Sequence, residues 1–308
     1  MPKQFKSLAD LLRAFPDEAS CVEYLEWTVW KGNVVSPYDP TSTVYKCKGY
    51  NYKCRNTGKY FNARTNTMFY RSSVPLQKWF IAIWLFTTCK KGISSVQLGK
   101  DIGVTQKTAW AMLQRMRKCF GENNRDFKLN GIVEIDETFV GGKNKNRHRD
   151  KKVKHCEGRS FKDKTPVFGM LQRGGNVVTK VVRDTKAKTL RTEINKVIQA
   201  GSTIYSDEWF YGRLSPKYRH LQVFHNVGIY GIGDVTTNSI EGFWSILKRG
   251  IIGVYHKVSR KHLQKYADEF SFRYNQRKLS LQRIFDNALS CFNRRITYND
   301  LIYAYEKA

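Results

Sequence analysis

The chain has 308 residues and carries 54 Lys and Arg against 26 Asp and Glu, a formal net charge of +28. An excess of that size repels itself in a compact fold and calls for a polyanionic partner, nucleic acid first; a ribosome-associated or merely soluble basic protein is the plainer alternative. No apolar run approaches the roughly 18 residues of a membrane span, the basic N-terminus lacks a signal-peptide pattern, and an odd set of seven scattered cysteines speaks against a disulfide framework. A soluble protein of a reducing compartment is therefore expected, cytoplasmic and nucleoid-associated in a bacterium or nuclear in a eukaryote.

Residues 1–30 place Phe5, Leu8, Leu11, Leu12 and Phe15, then Cys21, Val22 and Leu25, at helical spacing, with a break at Pro16. Two short helices fit. From 31 to 75 the texture turns to Gly, Pro, Tyr, Asn and Thr with short alternating runs such as Val44–Cys47 and Tyr52–Cys54, a small β-module. A third segment, 76–121, opens with a core helix bearing Trp79, Phe80, Ile83, Trp84 and Phe86. It continues with a Ser-capped helix from Ser94, a Gly103 turn and a Thr-capped helix reaching about Cys119, the order of a helix-turn-helix. Ile102, Val104, Ala109, Leu113 and Met116 would pack inside, leaving Gln106, Lys107, Trp110 and Gln114 for a DNA groove. A generic helical pair is the alternative, and the nearby Arg115, Arg117 and Lys118 favour DNA.

The polar stretch Glu122–Lys128 reads as a linker to a second domain, 129–308. It opens on the β-branched run Gly131-Ile132-Val133-Glu134-Ile135-Asp136-Glu137-Thr138-Phe139-Val140-Gly141-Gly142, a buried strand with Asp136 where an apolar residue belongs. Residues 142–164 then hold ten Lys and Arg against three acids. This basic insertion is a mobile loop, an arm gripping phosphates through Lys143, Lys145, Arg147, Arg149, Lys151 and Lys152, or both. A hairpin follows (Thr165–Met170 and Asn176–Arg183 around Gly174-Gly175), then a helix over Thr185–Ala200. Next come a strand ending in Asp207, a short strand over Leu221–His225, a helix from about Asn238 to Gly250, and a long helix from about Ser259 to Asn275. The layout is α/β, with acids at the ends of neighbouring elements.

An ionised carboxylate in a sheet interior costs several kcal/mol unless something pairs with it. Asp136, Asp207 and Glu241 together have a reason to be there. Phosphodiester chemistry needs an activated oxygen nucleophile and neutralisation of charge on the phosphate, and two divalent ions held by a few carboxylates supply both. Hard oxygen ligands suit magnesium or manganese, and without a cation the acids would repel. On the last of these helices, Ile240, Phe243, Trp244, Leu247 and Ile251 make an apolar stripe, with Glu241, Ser245 and Lys248 on the opposite face. That places an ammonium two turns from the metal side, or, more plainly, a solvated Glu–Ser–Lys ladder.

The segments Ile135–Gly142, Tyr205–Glu208, Asn238–Gly250 and Asp268–Arg277 resemble the DDE transposases of bacterial insertion sequences, the zinc-ribbon-bearing kind related to Merlin elements, over about Cys21 to Arg277. The separation of 34 residues between Asp207 and Glu241 is close to the short second interval of such acids. The resemblance implies a ribonuclease-H-like catalytic domain, a mixed sheet flanked by helices, behind a ribbon-like β-module and a helix-turn-helix. It implies Asp136, Asp207 and Glu241 as catalytic metal ligands, Lys248 (with Arg249 beside it) as a DNA contact, and His225 and Asn238 as supporting residues. The expected activity is binding of terminal inverted repeats in double-stranded DNA by the ribbon-like module and the helix-turn-helix, and metal-dependent 3′-end cleavage and strand transfer by the catalytic domain of at least a homodimer. A catalytically idle, domesticated DNA-binding protein and a ribonuclease-H-like nuclease of repair or RNA are the alternatives. One departure matters: where that family has two C-x-x-C pairs, this chain has Ser36-Pro37-Tyr38-Asp39 and Cys54-Arg55-Asn56-Thr57. A structural zinc needs four ligands. No zinc is expected, the β-module being held instead by aromatics such as Tyr45, Tyr50, Tyr52, Tyr60 and Phe61, with the cysteines as buried small hydrophobes.

Overall fold

A computed structural model describes residues 4–123, 127–142, 148–153, 160, 163–207, 214, 216–223 and 235–302, with backbone alone at 123 and 151. The chain clusters into two units, Met1–Phe120 with Lys278–Glu306, and Gly121–Arg277.

The first unit begins with α1 (Leu8–Ala14) and α2 (Glu18–Trp30), each started by a side chain that accepts from a backbone N–H of the first turn, Ser7 from Asp10 and Asp17 from Ser20. Strands β1 (Val44–Lys46), β2 (Tyr52–Cys54) and β3 (Tyr60–Phe61) form a three-stranded antiparallel sheet. Its inner face is Tyr52, Cys54 and Phe61, packed with Trp30, Val34 and Val44. The expectation that Tyr45 and Tyr60 hold this module is corrected: both are exposed, at 49% and 62%. Strand alternation turns them to the face opposite Tyr52 and Phe61, so they cannot share that core. Tyr50 stands outside it too, its hydroxyl donating to Glu23. Cys54 stands where the resemblance would have a ribbon cysteine. Burial raises its thiol, but hydrogen bonds from Ser36, Ser42 and Thr57 outweigh that and bring it down to about 6. Ser36 and Thr57, where the resemblance would have cysteines, thus meet Cys54 as hydroxyl donors.

Helix α3 (Leu76–Thr88) buries the expected Trp79, Phe80, Ile83, Trp84 and Phe86. α4 (Ser95–Ile102) and α5 (Gln106–Asn123) follow, joined by Gly103, whose φ of +63° suits glycine. Ser94 accepts from Gln97 N and Thr105 from Thr108 N, the caps expected of both helices. Ile102, Ala109, Leu113 and Met116 are buried.

In the second unit, β4 (Ile132–Gly141), β5 (Lys164–Gln172), β6 (Val177–Val181), β7 (Thr203–Ser206) and β8 (Arg219–Gln222) make one sheet in the order β6-β5-β4-β7-β8. Neighbours are antiparallel from β6 to β4 and parallel from β4 to β8. Helix α6 (Ala187–Val197) covers one face through Leu190, Ile194 and Val197, which meet Val133, Ile135, Phe168 and Met170. α7 (Asn238–Gly250), extended by a π-helical turn at Ile251–Tyr255, and α8 (Leu263–Asn275) cover the other. The fold is a mixed α/β sandwich, helices on both sides of a mixed sheet. Edge strand β6 is closed off by amide side chains of α8. Asn275 exchanges two hydrogen bonds with the Val177 backbone, and Gln264 accepts from Val181 N and donates to Thr179 O. Such pairing satisfies edge groups that would otherwise recruit another strand. The chain then returns to the first unit as α9 (Leu281–Ser290) and α10 (Tyr298–Ile302). There Phe285 lies against Phe5 and Phe80, with ring centroids 5.3 and 5.4 Å away.

Among the described residues no helix is long and apolar enough to cross a membrane.

Candidate active site

Strand alternation decides which side of β4 does chemistry. Val133 and Ile135 turn into the α6 layer, so Glu134, Asp136 and Thr138 turn towards α7. Parallel pairing of Ile135 with Ser206 brings the following residue of each strand, Asp136 and Asp207, to the same end of the sheet. On α7 the apolar stripe is buried as its periodicity demands (Ile240, Phe243, Trp244, Leu247), while Glu241, Ser245, Lys248 and Arg249 are exposed.

One contact ties helix to strand at this point, and a second holds the same carboxyl within the strand. Trp244 Nε1 donates to Asp136 Oδ2 at 2.9 Å, while Glu137 N donates to the other oxygen at 2.7 Å. The indole can lie there because Asp136 pairs across the sheet with Gly169. A Cβ at Gly169 would stand 2.5 Å from Trp244 Cζ2 and 3.0 Å from Ile240 Cδ1. One turn before Trp244 on the same helix is Glu241, whose Oε1 accepts from Thr237 Oγ1 at 3.4 Å.

The electrostatics record the convergence. Burial is the largest cause raising the Asp136 carboxyl, followed by the charge on Asp207. The hydrogen bonds from Glu137 N and Trp244 oppose them and Glu241 adds a further push, leaving Asp136 at about 7. Three carboxylates from β4, the end of β7 and α7 therefore share one electrostatic neighbourhood. As they stand, no group of three His, Cys, Asp or Glu among the described residues is close enough together to hold an ion. A cation bound between the three acids would offset the repulsion of their charges. The donor set, carboxylate oxygens only, fits a hard divalent ion such as magnesium or manganese.

A residue that the sequence reading passed over sits beneath this site. Glu134 is fully buried, and its Oε1 accepts from Arg173 Nε at 2.8 Å while Oε2 accepts from Ile240 N at 3.0 Å, in the first turn of α7. Arg173 also donates to Thr236 O at 2.9 Å and Thr236 Oγ1 at 2.6 Å, and its guanidinium lies 4.9 Å from the centre of the Tyr205 ring. One ion pair thus touches β4 two residues before Asp136, β7 two before Asp207, and α7 one before Glu241. The signal was present in the alternation Val-Glu-Ile-Asp, which puts Glu134 on the Asp136 face.

The other candidates divide. Asn238 is exposed at the start of α7. Gln106 and Lys107 are exposed and Trp110 half-buried on α5, with Gln106 Nε2 donating to Ser95 Oγ at 2.8 Å. Gln114 is a correction: it is fully buried, because it lies on the packed side of α5 with Met112, Leu113 and Met116 buried around it, and it presents nothing to a groove. Arg149 and Lys152 are exposed beside a short 3-10 turn. Lys143, Lys145, Arg147, the side chain of Lys151, and His225 lie outside the described residues.

Residues 128–275 match the ISXO2-like transposase domain. All three acids, Glu134, Arg173 and Lys248 fall inside the matched segment. The chain is similar to an uncharacterised protein in transposable element ISH50 of Halobacterium salinarum, at 27% identity over 279 residues, covering 85% of this chain and 92% of that one. Solved structures similar to it include a pre-cleavage Mos1 transpososome (12% identity, 66% of this chain and 75% of that chain, TM-score 0.27). A Mos1 strand transfer complex gives 11% identity over 70% and 74%, with a TM-score of 0.26.

Proposed function

We propose that this chain is a DDE transposase that binds the ends of an insertion sequence and carries out metal-dependent cleavage and strand transfer on double-stranded DNA. What supports the reading is that the charges of Asp207 and Glu241 both push up the buried Asp136 carboxyl, inside the segment that matches a transposase domain. The strand order β6-β5-β4-β7-β8, antiparallel then parallel, supports a ribonuclease-H-like identity for that unit.

Asp136, Asp207 and Glu241 would hold magnesium or manganese, ions that supply positive charge against the charge building on a scissile phosphate. The rest belongs to the chain's own side chains. Trp244 and Glu137 N fix the orientation of Asp136, and the Glu134–Arg173 pair holds the start of α7, so Glu241 is set relative to both strands. Lys248, two turns along the exposed face of α7, binds a neighbouring phosphate, with Arg249 beside it. Asn238, at the start of α7, supports the same end of the site. Cleavage breaks the bond from phosphorus to the 3′-oxygen of the element end as a water oxygen bonds to phosphorus. In transfer, that freed 3′-hydroxyl forms the new ester and a target-strand 3′-oxygen leaves. Gln106 and Lys107 at the start of α5, with Arg149 and Lys152, hold duplex DNA, and joining two ends requires a homodimer or larger assembly.

The test is a nicking and joining assay on duplexes carrying the element's end, with magnesium or manganese. Asp136→Asn and Glu241→Gln should each abolish cutting and joining and leave binding of the duplex intact. Cutting at the parental rate by either variant overturns the catalytic assignment, and a parent that binds without cutting is an idle DNA-binding protein.

A further inference from the structure

Asp207 is the first residue past β7, whose last residue paired to β4 and to β8 is Ser206. Strand pairing therefore ends just short of the acid. A side chain meets its main chain instead: Ser206 Oγ donates to Asp207 O at 3.2 Å. The same oxygen lies 2.8 Å from Nε2 of His220, on the neighbouring strand β8. Register puts this pair behind the site. His220 pairs in parallel with Ile204, so His220, Ile204 and Ser206 share a face. Ile204 packs there with Val133, Ile135 and Leu190, in the α6 layer. Tyr205 alternates to the opposite face, against Arg173, where the charge of Asp207 bears on Asp136.

A fully buried serine and a half-buried imidazole in an apolar layer cost free energy unless each is hydrogen-bonded. The two satisfy one another, and a pair that did only that would need no third contact. The third contact gives the pair a direction. A carbonyl oxygen can only accept, so the single hydroxyl proton of Ser206 goes to Asp207 O, and His220 donates from Nε2. Burial pushes the His220 imidazole below its ordinary pKa, which keeps the ring neutral at neutral pH and leaves Nε2–H as its tautomer.

We propose that His220 is a positioning residue for the metal ligand Asp207, acting through the relay His220 Nε2–H to Ser206 Oγ–H to Asp207 O. It rests on the reading of Asp207 as a ligand, and it names the groups that set that acid in place. Lying on the α6 face, the imidazole is turned away from the cation. It holds the main chain from which the Asp207 carboxylate projects, as Trp244 and Glu137 N hold the Asp136 carboxyl.

The experiment uses the full chain and manganese alone, titrated by calorimetry. Partners that stand directly behind a ligand are worth about 10- to 100-fold in metal affinity, and His220 acts one hydroxyl further back, so His220→Leu should bind manganese about tenfold more weakly. Ser206→Ala should lose about as much. His220→Gln keeps an N–H near the place of Nε2 and should stay within about threefold of the parent. In nicking, His220→Leu should lose about tenfold in rate at limiting manganese and recover most of it at saturation, a split that general loosening of the fold does not produce. Independently of any variant's folding, a long-range proton–nitrogen correlation spectrum of the unaltered protein with labelled histidine should show His220 as the Nε2–H tautomer. Parental manganese affinity in His220→Leu, equal losses in His220→Gln and His220→Leu, or an Nδ1–H tautomer would each overturn the proposal. Asp136→Asn, titrated alongside, tests the metal reading by itself: manganese binding equal to the parent's sinks that reading, while the tautomer still decides the relay.

Discussion

Replacing Asp136 by Asn tests the physical core of the site without DNA. The carboxyl stands at about 7 in the folded chain against an ordinary 3.8. A difference of about 3 units at 1.36 kcal/mol each makes the ionised form cost the fold about 4 kcal/mol. The sign follows from a folded value above the unfolded one. The stability this group contributes is complete below about pH 4, declines as pH rises through about 7, and is gone above it. Asn carries no charge, so the variant escapes that loss. It offers one acceptor oxygen to two donors, Glu137 N and Trp244 Nε1, and forfeits about 1 kcal/mol. In chelator-treated protein at about pH 8 the variant should therefore be more stable by about 3 kcal/mol, roughly 6–12 °C in melting temperature for a unit of this size. At about pH 4 the two should agree within about 1 kcal/mol. Urea and thermal unfolding followed by tryptophan fluorescence give both quantities, and self-repulsion from the net charge cancels in the difference. Manganese should then raise the melting temperature of the parent and not of the variant. A variant-minus-parent difference that stays flat with pH would refute the raised carboxyl, and equal stabilisation of both by manganese would refute its role as a ligand.

Glu134→Gln leaves an acceptor for Ile240 N but breaks a buried pair with Arg173. It should cost about 3 kcal/mol, expose the first-turn amides of α7 to hydrogen exchange, and weaken manganese binding. Gly169→Ala forces a methyl against the Trp244 indole. A loss of about 2–4 kcal/mol from overpacking and the displaced hydrogen bond is expected, with a shift in tryptophan emission; an unchanged spectrum would show that the indole does not depend on this glycine. Lys248→Ala, on the exposed face of α7, should leave stability within about 0.5 kcal/mol while reducing both duplex affinity and cleavage. A drop in stability instead would mean that this lysine packs and does not bind.

What was legible in the chain was whatever local chemistry repeats at a fixed period. The stripe Ile240, Phe243, Trp244, Leu247 implied that α7 buries one face and shows Glu241 and Lys248 on the other, because helical spacing leaves no choice. Asp136 inside a β-branched run drew attention because a strand interior penalises charge, and Ser94, Gly103 and Thr105 marked the ends of α4 and α5 through capping chemistry. Tertiary structure decided what depends on partners far along the chain. Tyr45 and Tyr60 look like core residues until the register of β1, β2 and β3 assigns each a face. Gln114 shares a helix with exposed Gln106 and Lys107, yet packing around α5 buries it. Glu134 reads as an ordinary strand acid until Arg173, Thr236 and Ile240 arrive around it. Period tells which residues share a face, but the element that covers that face is chosen by contacts a hundred residues away, and only those contacts made one acid a clamp and its neighbour a site.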